Sequence, residues 1–270
     1  MARAISVSDV YDFLNTFAPV EMKMERDNIG FLVGCAGGDA SRILLSLDIT
    51  NDVVTEAIDT GAGLIVSHHP LFRSLTRVTD TDTTGKIIVR MLSGGISGIC
   101  MHTNLDAARG GINDALAVAA GIADDTREAE LLSDDNRLPT GEAFAYGRLG
   151  FLKQPCSLSE YLAMLKTSLG ADGLRYYDAG KDVFKVAVVG GSGGSLFDDV
   201  IKSGCDTFLS ADLKFHLFLE ARERGINVID GGHFCTENLI IGVLADMLRE
   251  AFPDSEILIS QKLDQTIKFF

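Results

Sequence analysis

Paired cysteines, an excess of basic residues, long apolar runs and a Walker-type lysine motif are all missing from this 270-residue chain. Its five cysteines (Cys35, Cys100, Cys156, Cys205 and Cys235) show no C-x-x-C and no disulfide-like spacing. That excludes a disulfide framework and fits buried thiols in a reducing cytoplasm. The net charge of −14 argues against a nucleic-acid groove built on bulk charge, because phosphate backbones are bound by Lys and Arg. No apolar run approaches the ~20 residues of a spanning helix. The opening MARAISVSDVYDFLNTF has no charged segment followed by a long apolar one, so neither a signal peptide nor a membrane partner is expected.

What is present alternates between strand-like and helix-like segments. Residues 29–34, 43–48, 64–67 and 96–101 read as strands. Residues 6–17, 52–60, 84–92 and 113–120 read as helices, with Ser6 or Ser8 capping the first and Gly61 and Gly121 closing two others. The stretch 122–143 is polar and acidic, an exposed connection with room for a short strand. Beyond it come a strand at 144–152, a helix at 161–169 after the capping-box spacing Ser157-Leu158-Ser159-Glu160, and a strand at 185–190. This is βαβ logic, and it predicts an α/β fold with mostly parallel sheets.

A weak internal repeat refines that reading. Residues 56–67 match 199–210 at one register, which sets the strand at 43–47 against 186–190 and His68-His69 against Ala211-Asp212. After a shift, His102-x-x-x-Asp106 falls on His233-x-x-x-Glu237. The repeat predicts two similar, interlinked α/β halves facing a shared cleft. One lobe is expected from 1–125 plus 236–270, the other from 126–235; the alternative is chance similarity between generic βαβ units.

Four of the five histidines lie in three short stretches, each following a strand-like run. Ligands of open parallel sheets bind beyond the carboxyl ends of strands, and imidazole with carboxylate is a transition-metal donor set. Adjacent histidines on an extended strand point to opposite faces, so His68 and His69 can serve one centre only if the strand has already turned, which Pro70 favours. His233 and Glu237 share a helical face if a helix begins by Gly232. Cys235 lies off that face and is the weaker candidate ligand. His216 is either a proton donor or substrate contact, or a plain polar helix residue. The run Gly190-Gly191-Ser192-Gly193-Gly194-Ser195 follows a strand and precedes a helix, as a phosphate cradle would. However, Leu196 breaks the dinucleotide fingerprint, so the run is expected to be a turn with backbone amides facing the cleft.

Four ordered motifs carry a resemblance to a known family: 27–34 (Asp-Asn-Ile-Gly-Phe-Leu-Val-Gly), Ser67-His68-His69-Pro70-Leu71, His102-Thr103-Asn104-Leu105-Asp106 and Gly232-His233-x-x-Thr236-Glu237. Together with Gly147-Arg148-Leu149-Gly150 and the glycine run, they resemble the dinuclear-metal proteins called GTP cyclohydrolase 1 type 2 homologs, in their short form. Arg26 departs from the aromatic that members often carry there, at a position that is not a ligand. The resemblance implies His68, His69, Asp106, His233 and Glu237 as ligands of two divalent ions, drawn from zinc, iron, manganese, cobalt or nickel. It leaves His102 outside the ligand set as a supporting residue or general acid/base. It also implies a toroidal homo-hexamer with metal sites facing its interior.

The resulting expectation is a cytoplasmic, metal-dependent hydrolase acting on a nucleotide or related small molecule, with His102 or His216 protonating the leaving group. The alternative is a non-enzymatic metal-binding adaptor or metal-handling ring.

Overall fold

The computed structural model describes residues 5–133 and 135–270. Residues 1–4, within the segment read for a signal peptide, and Asp134, within the 122–143 connection, lie outside the described residues. The chain divides into two compact units, Met1–Leu105 with Ile241–Asp264, and Asp106–Ile240 with Gln265–Phe270.

The first unit opens with α1 (Val7–Phe17). Its cap is Ser6, in a reciprocal capping box with Asp9. Strands β1 (Gly30–Val33), β2 (Arg42–Ser46), β3 (Leu64–Ser67) and β4 (Ser97–Cys100) join the C-terminal strand Glu256–Ile259 in one sheet, in the order β1, β4, β3, β2, Glu256–Ile259. Only β1 runs antiparallel to its neighbour. Helices α2 (Asn51–Thr60) and α3 (Thr83–Ser93) are the crossovers. Gly61 ends α2 at φ 70°, a left-handed cap that a side chain would oppose. Leu44 and Ile65 pack with Val53, Ala57, Ile88 and Met91 in one buried cluster.

The chain passes into the second unit within α4 (Thr103–Ala107), and α5 (Ile112–Ala119) follows. Sequence reading puts residues 106–125 with the first lobe. In the folded chain they lie in the second unit, because α5 packs on that unit's strands β8 (Arg148–Cys156) and β10 (Val183–Ser192). The 122–143 connection carries two short strands, β5 (Glu130–Leu131) and β6 (Asn136–Arg137), the latter paired with β7 (Ala143–Phe144). With β9 (Arg175–Tyr177), β11 (Thr207–Ala211) and β12 (Asn227–Asp230) the six-stranded order is β5, β8, β10, β11, β12, β9. Here only the β10–β11 and β11–β12 pairs are parallel. The edges are antiparallel, so this sheet is mixed rather than mostly parallel.

Both faces of the second sheet are covered, and the strands alternate accordingly. Val186, Val188, Leu209 and Ile229 meet Leu116, Tyr161 and Leu165 of α5 and α6 (Leu158–Ser168). Ala187, Val189, Phe208 and Val228 meet Phe197, Val200, Leu217 and Ala221 of α7 (Phe197–Lys202) and α8 (Phe215–Arg224). The repeat is visible in the topology: β2–α2–β3 corresponds to β10–α7–β11, and β4 corresponds to β12. The strand expected at 144–152 is interrupted at 145–147 and then runs on to Cys156. A register irregularity against β10 accommodates Pro155, which cannot donate to a ladder.

Arg148, with no exposed surface, pairs with the equally buried Asp114. It also donates to the carbonyls of Ala107, Ala108, Ala145 and Gly147, fixing the chain just after Asp106 onto the start of β8. Removing one partner of such a pair leaves a buried charge. Arg148→Met should therefore lower the free energy of unfolding by about 3–5 kcal/mol, read from the midpoint of denaturant unfolding; a loss below about 1 kcal/mol would contradict this role.

Candidate metal centre

β3 is buried throughout and ends at Ser67. The chain then bends: the Ser67 hydroxyl donates to the carbonyl of His69 (2.9 Å) and the His69 amide to the carbonyl of Leu47 (2.9 Å). The bend overrides strand alternation, and the two rings lie side by side with centroids 4.8 Å apart. His102, at the end of β4, joins them at 5.0 Å from His68 and 5.6 Å from His69. One ring nitrogen from each of these three residues lies within 4.8 Å of the other two, a grouping that could hold a cation.

Each ring is fixed through Nδ1. His68, fully buried, holds the carbonyl of Met101 (2.8 Å), His69 holds Asp48 (2.9 Å) and His102 holds Asp27 (2.8 Å). A carbonyl can only accept, so His68 carries its proton on Nδ1 and presents the Nε2 lone pair; carboxylate partners favour the same tautomer for the other two. Burial pushes the Asp27 carboxyl up. Hydrogen bonds from His102 and Thr103, with the charge of His102, outweigh this and hold it well below the usual carboxylate range.

In the second unit, α9 (His233–Glu237) begins directly after Gly232 at φ 82°. The expected one-turn spacing is therefore realised, with His233 Nε2 3.0 Å from a Glu237 carboxylate oxygen. His233 Nδ1 meets Asp212 at 2.7 Å. Asp212 occupies the repeat position of His69, at an unusual positive φ of 53°. The hydrogen bond to Glu237, against an opposing effect of burial and aided by the charges of Glu237 and Asp212, pushes the imidazolium up to about 9. A field that holds a proton this strongly also favours a metal cation, which would have to displace that proton.

The glycine run makes room for this pair. At Gly191 (φ 59°) a Cβ would fall 2.0 Å from Glu237 Oε1 and 3.2 Å from His233 Nε2. The Gly190 and Gly191 amides are taken by the side chains of Asn113 and Thr236, so these amides brace the turn internally and do not face a cleft as expected. Asn113, fully buried, also donates to the backbone carbonyl of Asp106 (2.9 Å), tying that partly buried residue to the same turn. Imidazole nitrogens, carboxylate oxygens and a cradle that a Cβ would fill suit a divalent transition ion.

The other sequence candidates stand apart. Cys235 is buried and its sulfur accepts from Gln265. His216 is exposed on the first turn of α8, outside the clustered candidate ligands among the described residues. Sequence reasoning missed the carboxylates behind the imidazoles: Asp27, Asp48 and Asp212. The repeat offered one signal, since it sets Asp212 opposite His69.

The family model for Duf34/NIF3 (NGG1p interacting factor 3) matches residues 5–265. A GTP cyclohydrolase 1 type 2 homolog of Clostridium acetobutylicum is 33% identical over 272 residues, covering 98% of this chain and 99% of the relative. The homolog of the same name in Clostridium perfringens is 31% identical, covering 98% and 100%. The crystal structure of a Bacillus cereus protein related to NIF3 superposes with a TM-score of 0.91 over the whole of both chains, at 22% identity, a likeness of fold.

Gly191→Ala should drive Glu237 and His233 apart and so reduce the metal retained by the purified protein about tenfold or more, while the thermal midpoint stays within a few degrees. Elemental analysis of variant and wild type purified in parallel gives the answer; equal metal content would contradict the cradle.

Proposed function

This chain belongs to the Duf34/NIF3 (NGG1p interacting factor 3) family, and from that premise we propose that it is a dinuclear metal-dependent hydrolase of a nucleotide or related small molecule. His68, His69, Asp106, His233 and Glu237 hold the two divalent ions, of the zinc, iron, manganese, cobalt or nickel class. The observation that carries the reading is the anchoring of His68, His69 and His233 through Nδ1 on a carbonyl or carboxylate, the support that metal-ligating histidines receive. Divalent ions supply Lewis acidity and lower the pKa of water toward about 7.

This chain's own residues do the rest. Asp48 and Asp212 keep the rings of His69 and His233 in one tautomer, and Glu237, with a buried side chain against Gly191, gives a fixed negative charge. His102, held through Nδ1 by Asp27, takes up a proton on Nε2 and passes it to the leaving group beside His68 and His69. His216 serves the substrate. The names of the relatives favour GTP, with its imidazole ring as the group opened.

The ordered motifs of the sequence, through the family they resemble, lead to the further proposal of a homo-hexameric ring, and the unpaired cysteine pattern to one working in the cytoplasm. Among the described residues no helix is long and apolar enough to cross a membrane.

The test is turnover of GTP, other nucleotides and phosphoesters by metal-loaded protein. Glu237→Ala should abolish it, and His102→Asn should cut kcat by about 10²–10⁴-fold with metal content unchanged. Native mass spectrometry in the same preparation should find six 29.0 kDa chains. Turnover that survives Glu237→Ala would overturn the hydrolase reading at this site, and no turnover by the metal-loaded wild type would leave a metal-binding ring without enzymatic activity.

A further inference from the structure

The second half of the glycine run faces a pocket that the metal reading does not use. It has a volume of about 340 Å³ and is lined by Ser192, Gly194, Ser195, Asp212, Lys214 and His216, closed below by Leu217. The two serines, the lysine and the histidine are exposed, and among the described residues their side chains take no hydrogen-bond or ion-pair partner. All four can donate, and Lys214 brings a full positive charge. The single carboxylate of the lining, Asp212, is turned to His233 Nδ1 at 2.7 Å.

This concentration of donors stands out in a chain of net charge −14. Here one concave spot offers an ammonium, an imidazole and two hydroxyls beside the small backbone of Gly194. Several donors on flexible stems suit a group with several acceptor oxygens, and lysine is a common point-charge partner of phosphate. Through Asp212 the pocket is one residue from a candidate metal ligand. A small molecule anchored in it would therefore present its remainder near His233.

We propose that this pocket is a phosphate subsite, in which Lys214, His216, Ser192 and Ser195 bind the phosphate end of a phosphorylated small-molecule substrate. The inference deepens the hydrolase reading and rests on it for the word substrate. The subsite itself depends only on residues that ligate no metal.

Isothermal titration with inorganic pyrophosphate separates the two. Wild-type protein should bind it, and Lys214→Met should weaken binding about tenfold with metal content unchanged, the loss expected for one charge-assisted hydrogen bond. Ser195→Ala should weaken it by a smaller factor in the same direction. The Lys214 dependence should persist in Glu237→Ala protein stripped of metal. GTP should follow pyrophosphate, whereas any binding of guanosine should be indifferent to Lys214. Absence of pyrophosphate binding, binding that Lys214→Met leaves intact, or equal weakening of GTP and guanosine would each overturn the subsite. A metal-free wild type would overturn the dinuclear reading and leave the Lys214 result standing.

Discussion

The hydrogen bond from imidazole Nδ1 to an oxygen acceptor is the interaction on which the candidate site depends. It occurs four times, on four separate acceptors: a main-chain carbonyl for His68 and carboxylates for His69, His102 and His233. A free imidazole samples two tautomers and several rotamers, and each bond removes that freedom before any ligand arrives. The acceptors are in turn placed by the framework. Met101 follows β4, Asp48 follows β2, Asp212 follows β11, and Asp27 precedes β1 while accepting from Thr103. Strand ends thus supply both the rings and the groups that aim them.

The two units solve the same positional problem with different residues. Where β3 is followed by two histidines, β11 is followed by Ala211 and Asp212, and the carboxylate there holds His233. In the second half of the repeat the position of His69 supports a histidine further along its own chain. Close backbone approach makes this feasible: Gly191 gives Glu237 its room, and the buried Asn113 links the turn at Gly190 to the carbonyl of Asp106. Arg148 fixes the next two carbonyls, so the segment carrying Asp106 is held from both sides.

Much of the framework was legible in the sequence because local chemistry sets it. The apolar run 64–67 is β3 to the residue, Gly61 and Gly121 mark helix ends, and the capping spacing at Ser157 starts α6. The spacing His233-x-x-x-Glu237 was readable because an i, i+4 relation is a local property. Less legible were features set by distant partners. The mixed character of the second sheet comes from the antiparallel pairing of β8 with β10 and from edge strands of two or three residues, and β8 continues through a proline that only a register irregularity allows. Asp27 and Arg148 lay in plain view within recognisable motifs. Their roles, however, require partners 75 and 34 residues away, for which no periodicity gives a signal.

The central claim is that these anchored side chains hold a pair of divalent ions. Anomalous scattering from crystals of protein purified without added metal, with elemental analysis of the same batch, tests it most directly. The account predicts two peaks per chain, bounded by His68, His69, Asp106, His233 and Glu237. A single ion per chain, or none near His68, would contradict it.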